Sequence, residues 1–239
     1  MRRVFLADVH LSPLEPARTE RLIRFLRREA PHADEIYILG DLFDYWIGPR
    51  HLRLPDYREA LEALARAART TKVFFLLGNR DFYMSRGLEE ATGIRIVPGR
   101  TEHRLTAGSQ QVYLCHGDYL EGRRDRGFRI QEWIRSPGFE RAFVLLPAFV
   151  AKAMAEFYRW LSGSKMRRSV RVNEEIVAAE FRRGTDVIVC GHIHEPGRRV
   201  TQVDGRQAVL FTLGDWSMVE NYLVEEDGRW ELRGGLDAG

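Results

Sequence analysis

Short apolar runs punctuate the chain: "VFLA" at 4–7, "IYIL" at 36–39, "VFFLL" at 73–77, "VYLC" at 112–115 and "VIVC" at 187–190. Each is too short for a helix and rich in β-branched or aromatic residues, which predicts strands buried on both faces. Helical periodicity alternates with them. "PARTERLIRFLRREA" places Leu22, Phe25 and Leu26 on one face after the first run, and "DYREALEALARAART" follows the second, with Asp56 near its start. Strand, helix and strand at this spacing predict right-handed crossovers and an α/β fold whose sheet is covered on both faces. The last stretch, from Arg198 to Leu232, alternates short β-type runs with Asp-Gly turns at 204–205 and 227–228. It is expected to form antiparallel strands closing a second sheet.

Residues 120–172 break the pattern. Phe128, Trp133, Phe139, Phe143, Phe149, Phe157, Tyr158 and Trp160 surround "AFVLLPAFVA", where Pro147 should end or kink a helix. This reads as a helical cap inserted into a core formed by 1–119 and 173–239, with "NEEIVAAEFRRG" as the helix leading back. No repeat or low-complexity tract is present.

Charge sharpens that division. The insertion holds twelve Arg or Lys against five Asp or Glu, a local net of +7, so the formal net of +3 leaves −4 on the rest. A basic segment on an acidic body predicts an anionic partner such as a phosphate-bearing ligand, a membrane surface or nucleic acid. Arginine preference along the whole chain, with lysine only at 72, 152 and 165, also accounts for part of this as a solvated helical face. Cys115 and Cys190 each end an apolar run beside a histidine motif, which predicts buried thiols and a reducing compartment. The start, "MRRVFLADVH", lacks the apolar stretch of a signal peptide, and no segment approaches a membrane span. The expected chain is soluble or at most peripheral.

The candidate chemistry sits at the ends of the predicted strands. In order they present Asp8 and His10, then Asp41, Asn79, His116, and finally His192 and His194. In open α/β sheets such loops converge outside the carboxyl ends of the strands. Glycines accompany them: Gly40, Gly78 and Gly191 precede a ligand, and Gly117 follows one, as sharp turns near an ion require. Imidazole, carboxylate and one amide oxygen without thiolate suit manganese, iron or zinc in near-octahedral geometry rather than structural zinc. Seven donors exceed the need of one ion. Two ions sharing a bridging carboxylate, expected to be Asp41, divide them well and can hold both oxygens of an in-line phosphoryl displacement.

"DVH", "GDLFD", "GNRD", "HGD" and "GHIHEP", in this order, resemble the calcineurin-like metallophosphoesterases across nearly the whole chain outside 120–172. The resemblance implies two stacked mixed β-sheets flanked by helices, an αββα sandwich with the inserted cap. It also implies that Asp8, His10, Asp41 and His194 hold one ion, while Asp41, Asn79, His116 and His192 hold the other. "DVHLSP", "GDLFDYWIG" and "GNRDF" are most similar to the bacterial UDP-2,3-diacylglucosamine pyrophosphatases of lipid A synthesis. That similarity implies an acylated UDP-sugar substrate cleaved to UMP and an acylated sugar phosphate, two divalent ions, most simply Mn2+, and peripheral contact with the anionic cytoplasmic face of the inner membrane. Nucleic acid is not an expected partner. The alternatives are another nucleotide or lipid diphosphate or phosphodiester as substrate, or a catalytically silent metal-binding scaffold. Retention of all seven ligands argues against the scaffold.

Asn79, Arg80, Asp41 and His116 are the expected catalytic residues, and Asn79, Arg80, Ser164, Lys165 and His194 the expected substrate contacts. Ser164 and Lys165 rest on the similarity of "SGSKMRRS" to a ligand-contacting stretch of that family. Two departures stand out. "HGDYLEGRRDRGFR" carries Glu121, Gly122, Arg123 and Arg124 where the best-known members have a cysteine and paired aspartates, and Glu195 stands where relatives often place a basic residue. Arg80 occupies a position at which most such phosphoesterases carry histidine. An arginine cannot give up its proton at neutral pH, but its planar fork grips two phosphate oxygens; the plainer reading pairs it with Asp81. Asp44, Asp81 and Asp118 either orient ligands from behind or stabilise turns. His32, His51 and His103 are expected to be packing or capping residues.

Overall fold

The computed structural model describes residues 1–46, 48–81, 86–98, 101–122, 136–147, 150, 153–154, 157 and 171–234. All five apolar runs form strands: β1 (Arg2–Leu6), β2 (Glu35–Leu39) and β3 (Lys72–Leu76), then β6 (Gln110–Cys115) and β7 (Val187–His194). They do not share one sheet. The first sheet runs β11-β10-β1-β2-β3-β4, with β1 to β4 parallel, and the second runs β5-β6-β7-β9-β8. The ligand-bearing strands are thus divided between two sheets that meet face to face.

The period of two along each strand sorts side chains into three layers. Val4 and Leu6 of β1 face outward onto α1 (Pro16–Glu29) and α2 (Arg58–Thr70), packing with Leu22, Phe25, Leu26, Ala60 and Leu64. Phe5 and Ala7 face the other way, into an inter-sheet core with Tyr37, Leu39, Val187, Val189 and Phe211. On the far side of the second sheet Ile188 and Cys190 meet Val177 and Phe181 of α5 (Glu174–Arg182). The result is the expected αββα sandwich. Each sheet has helices on one face and the other sheet on its second face.

One expectation needs correcting, and two strands carry no sequence signal. The last strands do not all close the second sheet. β8 (Gly197–Val203) and β9 (Arg206–Gly214) do, but β10 (Tyr222–Glu226) and β11 (Arg229–Arg233) return to the first sheet, where Leu223 pairs with Phe5. The cause is the open edge of β1, whose unpaired amides and carbonyls β10 satisfies antiparallel while Leu223 enters the inter-sheet core. β5 (Glu102–Ala107) and the two-residue β4 (Arg95–Ile96) carry no apolar run. β5 is an edge strand whose side chains alternate between exposed and half-buried, so no buried hydrophobic signal marks it.

The two ends of the stretch 120–172 are tied together. Asn173 N donates to Leu120 O at 2.6 Å, and the Asn173 side chain caps α5 by accepting from Glu175 N and Ile176 N at 3.0 and 3.3 Å. α3 is the short helix Arg86–Thr92, and α4 (Pro137–Leu145) stops at Leu146, which is extended before Pro147 as a residue preceding proline should be. Phe143 is buried in the helix-side core, whereas Leu145 and Phe157 are exposed. Phe128, Trp133, Phe149, Tyr158 and Trp160 lie outside the described residues, as do Ser164 and Lys165. Both cysteines are buried and free, and burial pushes the Cys190 thiol up to about 12. Among the described residues no helix is long and apolar enough to cross a membrane.

Candidate metal centre

Loops leaving β1, β2, β3, β6 and the end of β7 meet at one edge of the sandwich, and the seven sequence-predicted donors lie on them. Their backbones are unusual. Asp8, His10, Asp41, His192 and His194 have φ of 53, 50, 51, 67 and 62°, the left-handed region that costs non-glycine residues about 1–3 kcal/mol each. Cross-loop hydrogen bonds hold them there. Asp8 N donates to Gly40 O at 3.1 Å, His10 N to Asp41 O at 3.0 Å, and His192 N to Asp8 Oδ2 at 2.7 Å. The loops also approach too closely for side chains at Gly40, Gly78, Gly117 and Gly191. A Cβ on Gly40 would lie 2.6 Å from the Gly78 backbone, and one on Gly191 would run into the Asp8 carboxylate and Ala7.

This folding gathers the donors into two groups. Ligand atoms of Asp8, His10 and His194 all lie within 4.8 Å of one another, and so do those of Asp8, Asp41 and His116. His10 Nε2 and His194 Nε2 face each other at 3.4 Å, and Asp8 Oδ1 stands 3.4 Å from His194 Nε2. Asp41 points one oxygen at each group: Oδ1 is 3.7 Å from His116 Nε2, Oδ2 3.9 Å from His10 Nδ1. Asn79 brings its amide nitrogen to 3.3 Å from His192 Nδ1. His116 donates from Nδ1 to Leu39 O at 2.9 Å, which turns Nε2 toward the carboxylates.

A test of whether these residues suit a cation comes from their unmet hydrogen bonds. Asp8 Oδ1, His10 Nδ1, Asn79 Oδ1 and His116 Nε2 are all buried without a hydrogen-bond partner, whereas the buried His192 Nε2 has Glu121 Oε2 3.5 Å away. Each such atom costs about 1–3 kcal/mol, and folded proteins rarely tolerate several together. A divalent cation satisfies carboxylate, amide and imidazole donors at once, so the set fits a metal.

The electrostatics agree. Burial disfavours charge on His116, yet Asp41, Asp8 and Asp118 outweigh it and raise its pKa to about 9. His194 is raised as well, against its burial, by the Asp8 carboxylate 3.4 Å away. Asp8 is held below the usual carboxylate range although burial opposes this, through His194, His116 and His10. His10 is driven well below the ordinary histidine value by burial first and then by the Arg80 charge. The carboxylates thus favour positive charge at His116 and His194. A divalent ion would meet that same demand.

The aspartates behind the donors have distinct tasks. Asp81 is fully buried and accepts from the amides of Asp41 and Gly78, the latter at 3.2 Å, so it clasps the GNRD turn to the GDLFD turn. Burial, followed by the Asp41 charge, raises its pKa to about 8. Arg80 is not paired with Asp81. Its Nη1 contacts Asp44 Oδ1 at 2.5 Å and its Nε lies 3.5 Å from Asp41 Oδ2, because Asp81 is turned toward backbone amides. Asp118 is buried at the start of a 3-10 turn and adds to the charge on His116.

The sequence marked Glu121 only as a departure from a family pattern, but its Oε2 stands 3.5 Å from His192 Nε2. His51 is fully buried between Phe43, Trp46 and Tyr57, and burial lowers its pKa to about 3, a packed neutral ring as expected. His103 stacks on Tyr37, and His32 is exposed in a short 3-10 turn.

The family model described as calcineurin-like phosphoesterase matches residues 1–196. Curated relatives named UDP-2,3-diacylglucosamine hydrolase match nearly end to end. The protein of Xanthomonas campestris pv. campestris strain B100 is 34% identical, covering 95% of this chain and 97% of its own. That of Stenotrophomonas maltophilia is 33% identical over 97% and 98%, and that of Vibrio cholerae 31% over 94% and 94%. Among solved structures, a dimetal phosphatase from Danio rerio shares the fold with a TM-score of 0.53 at 17% identity, covering 98% of this chain and 95% of that chain.

Proposed function

Because this chain belongs to the calcineurin-like phosphoesterase family, whose members use divalent metals, we propose that it cleaves the diphosphate of UDP-2,3-diacylglucosamine to UMP and 2,3-diacylglucosamine 1-phosphate. The observation that carries the reading is the end-to-end match to relatives of that printed name, spanning both the metal loops and the insertion. Asp8, His10, Asp41 and His194 hold one ion and Asp41, Asn79, His116 and His192 the other, with Mn2+ the preferred metal. The approach of the two Asp41 oxygens to histidines of different sets, His116 and His10, supports its role as the bridge. Two such ions supply Lewis acidity and bring the pKa of a water toward neutrality.

The protein's own residues do the rest. Asn79 and Arg80 hold the phosphoryl oxygens, Arg80 as a fixed charge oriented by Asp44. No acid is needed in that position, because a diphosphate leaves as a phosphate of low pKa, whereas an alkoxide leaving group would need a proton. Residues 120–172 form the cap over the acyl chains, with Ser164 and Lys165 as substrate contacts, and its basic surface rests on anionic lipid at the cytoplasmic face of the inner membrane.

A manganese-supplemented assay comparing UDP-2,3-diacylglucosamine, plain UDP-sugars and bis-p-nitrophenyl phosphate tests this. Preference for the acylated substrate is expected. Equal kcat/KM for UDP-sugars without acyl chains sinks the lipid assignment while leaving the phosphoesterase intact.

A further inference from the structure

Resting on that two-ion reading, we infer that Glu121 is a positioning residue of the second ion. It accepts a hydrogen bond from His192 Nε2–H and thereby presents the Nδ1 lone pair of His192 to the metal. The two ring nitrogens of His192 diverge. Nδ1 faces the Asn79 amide at 3.3 Å, on the side of the other donors, and Nε2 faces the Glu121 carboxylate at 3.5 Å. An imidazole that binds metal through one nitrogen carries its proton on the other, and a carboxylate accepting that proton fixes the tautomer and makes the ligand more basic.

Glu121 is placed firmly enough for this. It ends the 3-10 turn Asp118–Glu121, Gly122 follows at φ 72°, and Leu120 just before it accepts from Asn173 N at 2.6 Å. Both side chains are largely shielded, at 13% exposure for His192 and 20% for Glu121, so water competes weakly for the contact. His116 obtains the same service from a backbone carbonyl, Leu39 O, at 2.9 Å. The second ion is therefore served by two differently oriented histidines, one set by the β2 backbone and one by the neck of the insertion.

The test uses the full-length protein loaded with Zn2+ and two readouts. Long-range 1H–15N correlation spectra should show His192 protonated at Nε2 and metal-bound at Nδ1. Titration with Zn2+ should show Glu121→Ala weakening one of two ions about 10- to 100-fold while the other is unchanged. Glu121→Gln, which keeps an acceptor oxygen, should lose less. A His192 ring protonated at Nδ1 with Nε2 on the metal, or two unchanged dissociation constants in Glu121→Ala, overturns the inference alone. Uptake of fewer than two ions by the wild-type protein overturns it together with the two-ion reading. If the alanine variant does not fold, the wild-type spectrum decides.

Discussion

Left-handed backbone outside glycine occurs, among the described residues, in two settings: the Asp-Gly hairpins and the metal centre. At Asp204–Gly205 and Asp227–Gly228 the φ pairs of 50 and 77° and of 51 and 81° match the positive-φ pair of a two-residue hairpin turn. Open space surrounds both glycines. At Asp8, His10, Asp41, His192 and His194 nearly the same φ is carried by bulkier residues under crowded conditions. The hairpins use the conformation to reverse the chain. The centre uses it to aim donors, and the bonds between loops from both sheets offset its cost.

The sharpest way to break this contrast is to remove charge at equivalent backbones. Asp41→Asn keeps a residue that tolerates positive φ yet loses the shared carboxylate, and kcat/KM should fall by about 10^3-fold or more in a steady-state assay. Asp204→Asn should leave activity within about twofold. Comparable losses would refute the distinction.

Arg80→His comes next. Loss of a charged contact to phosphate, worth roughly 1.5–3 kcal/mol, should lower diphosphate cleavage about 10- to 100-fold. Cleavage of an aryl phosphodiester should fall less, and equal losses would count against a phosphate grip.

Asp81→Ala leaves the buried Asp41 and Gly78 amides without their acceptor. At about 1–3 kcal/mol per group, urea unfolding should show a loss of about 3 kcal/mol. Gly191→Ala then sets the crowded centre against the open hairpin. It should cost roughly 1–3 kcal/mol by overpacking against Asp8 and weaken metal uptake, whereas Gly205→Ala should cost about 1 kcal/mol and leave uptake unchanged.

The smallest effect is a proton count. His116 has a pKa raised to about 9, so below that pH the metal must displace a proton from it. Metal affinity should rise with pH up to about 9. Calorimetry at pH 7.5 in buffers of different ionisation heats should register proton release on binding, and buffer-independent heats would contradict the assignment.

Much of this was legible beforehand because buried parallel strands write themselves as apolar runs, and each run here ends in a donor. α1 and α5 were equally plain, the one from Leu22, Phe25 and Leu26, the other from the stretch "NEEIVAAEFRRG". β5 was not, since an edge strand buries too little to need an apolar pattern. The return of β10 to β1 was also hidden, because its residues would pair as well with any open edge. The partner of Arg80 illustrates the same limit at the site. Asp81 is its neighbour in sequence, but Asp44 is its neighbour in space.

The sequence alone determined which polar residues stand at the strand ends and in what order, because residue type and hydrophobic period are local properties. Only the tertiary structure decided how the loops are sewn across two sheets, which polar atoms come within reach of one another, and that Glu121 meets His192. Those outcomes depend on distances between segments remote along the chain, and no local pattern encodes them.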